Sequence, residues 1–123
     1  MRIIASKAPS AATAPYSPAV VSMGLLFTSG QLPCDTETGE IIGADITEQA
    51  EQVMRNLAAI LREAGTDFSK VVKTTCYITN MEDFAGFGAV YAKYFTQKPA
   101  RSCVTVKWLP KNVLCEVELI AEV

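Results

Sequence analysis

From Ile46 to Ala64 the apolar residues fall at three- and four-residue steps, with Ile46, Ala50, Val53, Met54, Leu57, Ile60, Leu61 and Ala64 on one stripe. That spacing predicts an amphipathic helix. Asp45 is suited to cap its start, Glu48 stands three residues on as in a capping box, and Gly65 is a natural stop. Elsewhere the pattern changes to period two. Val71–Thr79 is β-branched and alternating and predicts a strand, as do Arg2–Ala5, Val20–Val21 and Leu25–Thr28. The last two strands turn at Ser22-Met23-Gly24. A second helix is expected after Asn80, with Phe84, Phe87, Tyr91, Tyr94 and Phe95 facing inward as core and Pro99 preventing its return. Strands around Arg101–Trp108 and Leu114–Val123 close the chain, separated by a turn at Leu109-Pro110-Lys111-Asn112. The segments Ala8–Pro18 and Pro33–Gly43, rich in turn-forming residues, read as loops.

The order strands, helix, strand, helix, strands predicts a single α+β domain over residues 1–123, with both helices packed on one face of a mixed sheet. Two helices cover only one side. In the last strand Val113, Cys115, Val117, Leu119, Ala121 and Val123 share one face, whereas Leu114, Glu116, Glu118, Ile120 and Glu122 share the other. A half-apolar sheet face with no helix left to cover it predicts contact with another subunit.

Composition narrows the chemistry. A net charge of −2 with scattered lysines and arginines gives no basic strip for nucleic acid or an anionic membrane. No apolar stretch is long enough to span a bilayer, and nothing resembles a secretion signal, so a cytoplasmic protein is expected. Cys34, Cys76, Cys103 and Cys115 form no C-x-x-C pair and read as reduced, mostly buried thiols. The chain has no histidine, which excludes a Ser-His-Asp triad, a Cys-His dyad and any histidine-ligated metal. Carboxylate, guanidinium, hydroxyl, thiol or backbone groups must carry whatever reaction occurs.

Three features could do so. Arg101, directly after Pro99-Ala100 at a strand start, could grip a carboxylate through its planar fork; by position alone, a surface arginine paired with an acid is the commoner reading. Glu116 lies within an apolar strand, where a half-buried carboxylate could act as a general base toward water. A solvated strand face, shared with Glu118 and Glu122, is an equal alternative. Finally, Ser29-Gly30-Gln31 at a strand end could expose backbone N–H groups to an anion or simply make a turn.

In sequence order, Pro15-Tyr16-Ser17, Phe27-Thr28-Ser29-Gly30-Gln31-Leu32-Pro33, Val72-Lys73-Thr74-Thr75, Pro99-Ala100-Arg101-Ser102-Cys103-Val104 and Leu109-Pro110-Lys111 with Glu116-Val117-Glu118 resemble the successive signatures of the RidA (YjgF) family. The resemblance covers roughly residues 3–123, and the specificity lies in the ordered set, since any one motif alone proves little. It implies a chorismate-mutase-like α+β fold, a homotrimer with active sites between subunits, and hydrolysis of 2-iminobutanoate and 2-iminopropanoate to 2-keto acid and ammonia without metal or cofactor. Carried over by motif, Arg101 would bind the substrate carboxylate, and Glu116 would activate water with help from the backbone carbonyl of Cys103. Tyr16, Ser29 and Gly30 would line the site, while Lys73 and Thr74 are closer to structural signatures. The chain departs from the pattern at Ala14, where many deaminating relatives have Gly, and at Gly88, where they often have Asn; the second bears on substrate range.

Rival functions keep the same residues in view. A non-catalytic module binding 2-keto acids would also want Arg101, but an extra carboxylate at Glu116 disfavours simple anion binding. An endoribonuclease or translation inhibitor is opposed by the acidic balance and the lack of a basic, aromatic-interleaved strip. Chorismate mutase activity would call for more cationic groups around a dianion.

Overall fold

The computed structural model describes residues 1–5 and 13–123. Six strands, β1 (Arg2–Ile4), β2 (Ala19–Ser22), β3 (Leu25–Thr28), β4 (Val71–Ile78), β5 (Ala100–Thr105) and β6 (Cys115–Glu122), form one sheet in the order β1-β2-β3-β6-β4-β5. All neighbours are antiparallel except β4 and β5, which run parallel because helix α2 (Phe84–Tyr94) carries the chain back between them. The first residues of the expected early loop, from Ala8 to Ala12, lie outside the described residues.

Helix α1 (Ile46–Glu63) forms as the periodicity predicts. The Asp45 carboxylate accepts the Glu48 backbone N–H at 2.9 Å, and Gly65 ends the helix with φ +81°. Its apolar stripe packs with Phe87 and Val90 of α2 and with Cys76, Ile78, Cys115, Val117, Leu119 and Ala121 of the sheet. Both helices therefore sit on one face, and this layer is the core. Two polar residues of α1 are buried for a purpose. Asn56 donates to the carbonyls of Leu32 and Cys34 at 3.0 and 2.9 Å, while Gln49 donates to Gly43 O and accepts the Leu114 N–H at 2.8 Å. Buried amides are stable only when so paired, and these pin the 32–43 loop and the entry to β6.

Some expectations are corrected. β5 ends at Thr105: the Val106 N–H still reaches Ile78 O, but the chain then leaves the sheet and Trp108 stands exposed. β6 begins at Cys115, and Val123 is exposed beyond its end. In α2, Phe87, Tyr91 and Phe95 face inward, but Phe84 is 42 % exposed and Tyr94 is half-buried with its hydroxyl on Glu51. Their positions put them on the helix flank toward β5 and toward α1, beyond the sheet's reach.

Among the described residues no helix covers the second sheet face. In register across it run Ile3, Val20, Phe27, Ile120 and Lys73, flanked by Thr75, Tyr77, Glu116 and Glu118. A groove of about 320 Å³ opens there, lined by Phe27, Thr28, Lys73, Thr75, Glu118, Leu119 and Ile120.

Candidate active site

Glu116 occupies the open face of β6, opposite Tyr77 of β4. Beside it the chain passes Gly30, which continues past the end of β3 through a bridge between Gln31 and Val117. The Gln31 N–H donates to Val117 O at 2.8 Å and the Val117 N–H returns to Gln31 O at 3.2 Å. This pairing brings residue 30 against the Glu116 carboxyl, so closely that a Cβ there would lie 2.7 Å from Glu116 Cδ. Gly30 is thus required for a close approach, and its φ is not in the left-handed region. Ser29 fastens the loop that carries Tyr16: its hydroxyl donates to Ser17 O at 2.6 Å and its N–H to Pro18 O at 2.8 Å. Tyr16 itself extends into solvent.

Burial raises the Glu116 carboxyl above its ordinary range, with the neighbouring charge of Glu118 adding to the effect. Glu118 accepts a hydrogen bond from the Tyr77 hydroxyl at 2.7 Å, and this bond, with burial, pushes the Tyr77 phenol up to about 12. Tyr77 therefore stays protonated and holds Glu118 in place next to Glu116.

Arg101 is positioned differently. It pairs in register with Thr74, and Cys103 with Cys76, both fully buried on the helix side of β4. Register partners share a sheet face, so Arg101 and Cys103 project toward α2. The Arg101 guanidinium lies over the Tyr91 ring, 4.7 Å from its centroid, and 5.9 Å from that of Phe84. Such stacking holds the planar fork while leaving its N–H edges free. Tyr91 is fixed in turn by its hydroxyl, 2.8 Å from Thr74 Oγ1. Among the described residues Arg101 enters no ion pair. Burial raises the Cys103 thiol while the adjacent Arg101 charge draws it back.

The chain thus assembles Ser29, Gly30 and Glu116, with Tyr16 on the loop that Ser29 ties down, and separately Arg101 with Cys103. It does not bring the two groups together. Arg101 shares a row with Leu119, so from Glu116 it is two strands across and three residues along, roughly 10 Å in each direction, and on the opposite face. Tyr91 is in the core as its spacing indicates and also carries Arg101 on its ring, whereas Phe84, expected in the core, is exposed and flanks the same guanidinium. The missed signal was their helical register: Phe84 and Tyr91 are seven residues apart and so lie on one flank. Among the described residues no cluster of three or more acidic, cysteine or histidine side chains could hold a metal ion, and no helix is long and apolar enough to cross a membrane.

A six-stranded mixed sheet bearing two helices on one face, with a stacked arginine at its edge and a half-buried glutamate on its open side, defines the class. The family model described as Endoribonuclease L-PSP matches residues 5–123, and the chain belongs to this family, the RidA group that its motifs resemble. Among similar proteins, the RutC family protein y4sK of Sinorhizobium fredii is 52 % identical over 110 residues, covering 89 % of this chain and 87 % of that protein. Reactive Intermediate Deaminase A, chloroplastic, of Arabidopsis thaliana is 44 % identical over 94 % of this chain and 62 % of its own length. The crystal structure of Escherichia coli TdcF with bound serine superposes with a TM-score of 0.88 at 39 % identity, covering 100 % of this chain and 98 % of that one.

Proposed function

We propose that this protein is an imine deaminase that hydrolyses 2-iminobutanoate and 2-iminopropanoate to 2-keto acid and ammonia. The observation that carries this reading is the pair of half-sites on opposite sheet faces. One is a guanidinium held ready by stacking, the other a carboxyl of raised basicity lodged against Gly30. A second copy of the chain, laid against the open face, would unite Arg101 of one subunit with Glu116 of the next. The family resemblance makes that assembly a homotrimer. Support comes also from the deaminase relative and from the serine held by TdcF, an α-amino acid with the carboxylate that the clamp would meet.

The chemistry follows from the groups. Arg101 grips the substrate carboxylate and orients C2. Glu116, ionised, takes a proton from water as the water oxygen bonds to C2 and the C=N π electrons move to nitrogen. That proton passes to nitrogen to give a carbinolamine; Glu116 then takes the hydroxyl proton and delivers it to the amine, the C–N bond breaks, and ammonia leaves as the carbonyl forms. The Cys103 carbonyl, on an edge strand whose alternate backbone groups lack a sheet partner, would hold the water. Tyr16, Ser29 and Gly30 would line the cleft.

The test is a coupled assay in which threonine dehydratase releases 2-iminobutanoate, semicarbazide traps the surviving imine, and 2-ketobutanoate formation is followed. Acceleration by the wild type, with Arg101→Ala lowering kcat/KM at least about tenfold, or ~1.4 kcal/mol, supports the reading. A folded, oligomeric wild type without any acceleration would refute it and favour a non-catalytic carboxylate-binding module.

A further inference from the structure

The flank of α2 that meets Arg101 carries Phe84, Gly88 and Tyr91, at steps of four and three residues, so they follow one another along a single stripe. The Arg101 guanidinium spans the two rings at 5.9 and 4.7 Å. Gly88 falls between them, and a Cβ there would meet no atom within 4 Å. Neither backbone nor packing asks for glycine at this point. Its φ is not positive, whereas Gly86, two residues earlier, is held by Ile46 Cγ2 2.9 Å from where its Cβ would be. A glycine inside a helix is costly relative to alanine, and here no fold requirement offsets that cost. The open space it leaves lies on the stripe between Phe84 and Tyr91, the two rings over which the Arg101 guanidinium is held.

Resting on the deaminase reading above, we infer that Gly88 is a specificity determinant: the gap receives the side chain of a 2-imino acid whose carboxylate is held on Arg101. The favoured substrates are then imines with a bulky apolar side chain, branched or aromatic, over the methyl-bearing 2-iminopropanoate. The reaction is unchanged, one water consumed and one ammonia released per imine, so the gap acts on kcat/KM ratios and not on the bond-making step. In an apolar pocket one methylene alters kcat/KM by roughly 10–200-fold, so a difference of several carbons is easily read.

The experiment generates imines in situ with amino-acid oxidases acting on alanine, leucine and phenylalanine, and measures kcat/KM against semicarbazide trapping for the wild type, Gly88→Ala and Gly88→Leu. Binding of the matching 2-keto acids is titrated calorimetrically on the same proteins, after circular dichroism and gel filtration have confirmed fold and assembly. The expected result is a leucine-to-alanine imine ratio of roughly tenfold or more in the wild type, reduced by Gly88→Ala and abolished by Gly88→Leu. Equal rates on all three imines in the wild type overturn the inference, including the case in which a partner subunit fills the gap. So does a ratio that survives Gly88→Leu; if that variant fails to fold, an unchanged ratio in Gly88→Ala does the same. If no imine is hydrolysed, the deaminase reading falls by itself, and the titrations decide the gap: tighter binding of the bulky keto acids, weakened by the substitutions, upholds it, and equal binding overturns it.

Discussion

Gly30 and Glu116 share one space: the glycine Cα rests against the glutamate carboxyl, with no room for a Cβ between them. The contact is with the end of a flexible side chain, so a methyl at residue 30 would push the carboxyl aside without disturbing the sheet. Gly30→Ala is therefore expected to keep the wild-type melting temperature within a few degrees and to lose kcat by about tenfold or more, as a displaced general base would. Parallel assays of Gly30→Ala and Glu116→Gln check this. Full turnover in Gly30→Ala would separate the contact from catalysis.

The proposed division of the site between subunits would make two impaired variants complementary. Arg101→Ala and Glu116→Gln, each impaired alone, should regain activity when unfolded and refolded together. In randomly mixed closed rings with heterologous interfaces, about a quarter of the sites receive both intact residues. Recovery near that fraction is the expected result; none, in mixed oligomers verified by mass spectrometry, would place both residues in one subunit's site or remove one from it.

Glu116 also links activity and stability to pH. Its folded-state pKa is raised by burial and by Glu118, so the acid limb of the kcat/KM profile should lie above the ordinary carboxylate range, and Glu118→Gln should move it downward. For stability the sign follows from linkage: the carboxyl binds its proton more tightly when folded, so its favourable contribution exists at low pH and is lost as pH rises through the folded pKa. Glu116→Gln should thus melt higher than the wild type at neutral pH, with the advantage shrinking near pH ~4. Thermal unfolding across that range decides; a variant less stable at neutral pH contradicts it.

Tyr91 has two duties that two substitutions can separate. Tyr91→Phe keeps the ring beneath Arg101 but leaves Thr74 Oγ1, fully buried, with only the long Cys76 thiol contact at 4.0 Å; a loss of about 1–2 kcal/mol of stability is expected, with KM little changed. Tyr91→Leu removes the platform, and KM should rise several-fold. Denaturant unfolding and steady-state kinetics on both variants provide the comparison.

Gly88→Ala should stabilise the fold by about 0.5–1 kcal/mol, because the helical backbone there accepts any residue and open space surrounds the new methyl. Chemical denaturation measures it, and a destabilised variant would mean that an unseen contact occupies the gap.

The sequence by itself determined the elements. The stripe from Ile46 to Ala64, the cap at Asp45 and the stop at Gly65 are local signals, set by residues a few positions apart, and the structure repeats them. Alternation in β6 likewise separated the core face from the face bearing Glu116, and the uncovered side was legible by counting helices. Arg101 and Glu116 were singled out by their ordered motifs. Tertiary structure alone decided what each of them faces. Phe84 read as core because aromatic residues on a helix are usually buried, yet it is exposed, while Tyr91 is core as expected; only the parallel pairing of β4 with β5 turns Arg101 onto that flank and makes both rings its support. The same pairing sets Arg101 and Glu116 on opposite faces of one sheet. Sequence distance carries no information about which face a strand shows to its neighbour, since register is settled by long-range packing.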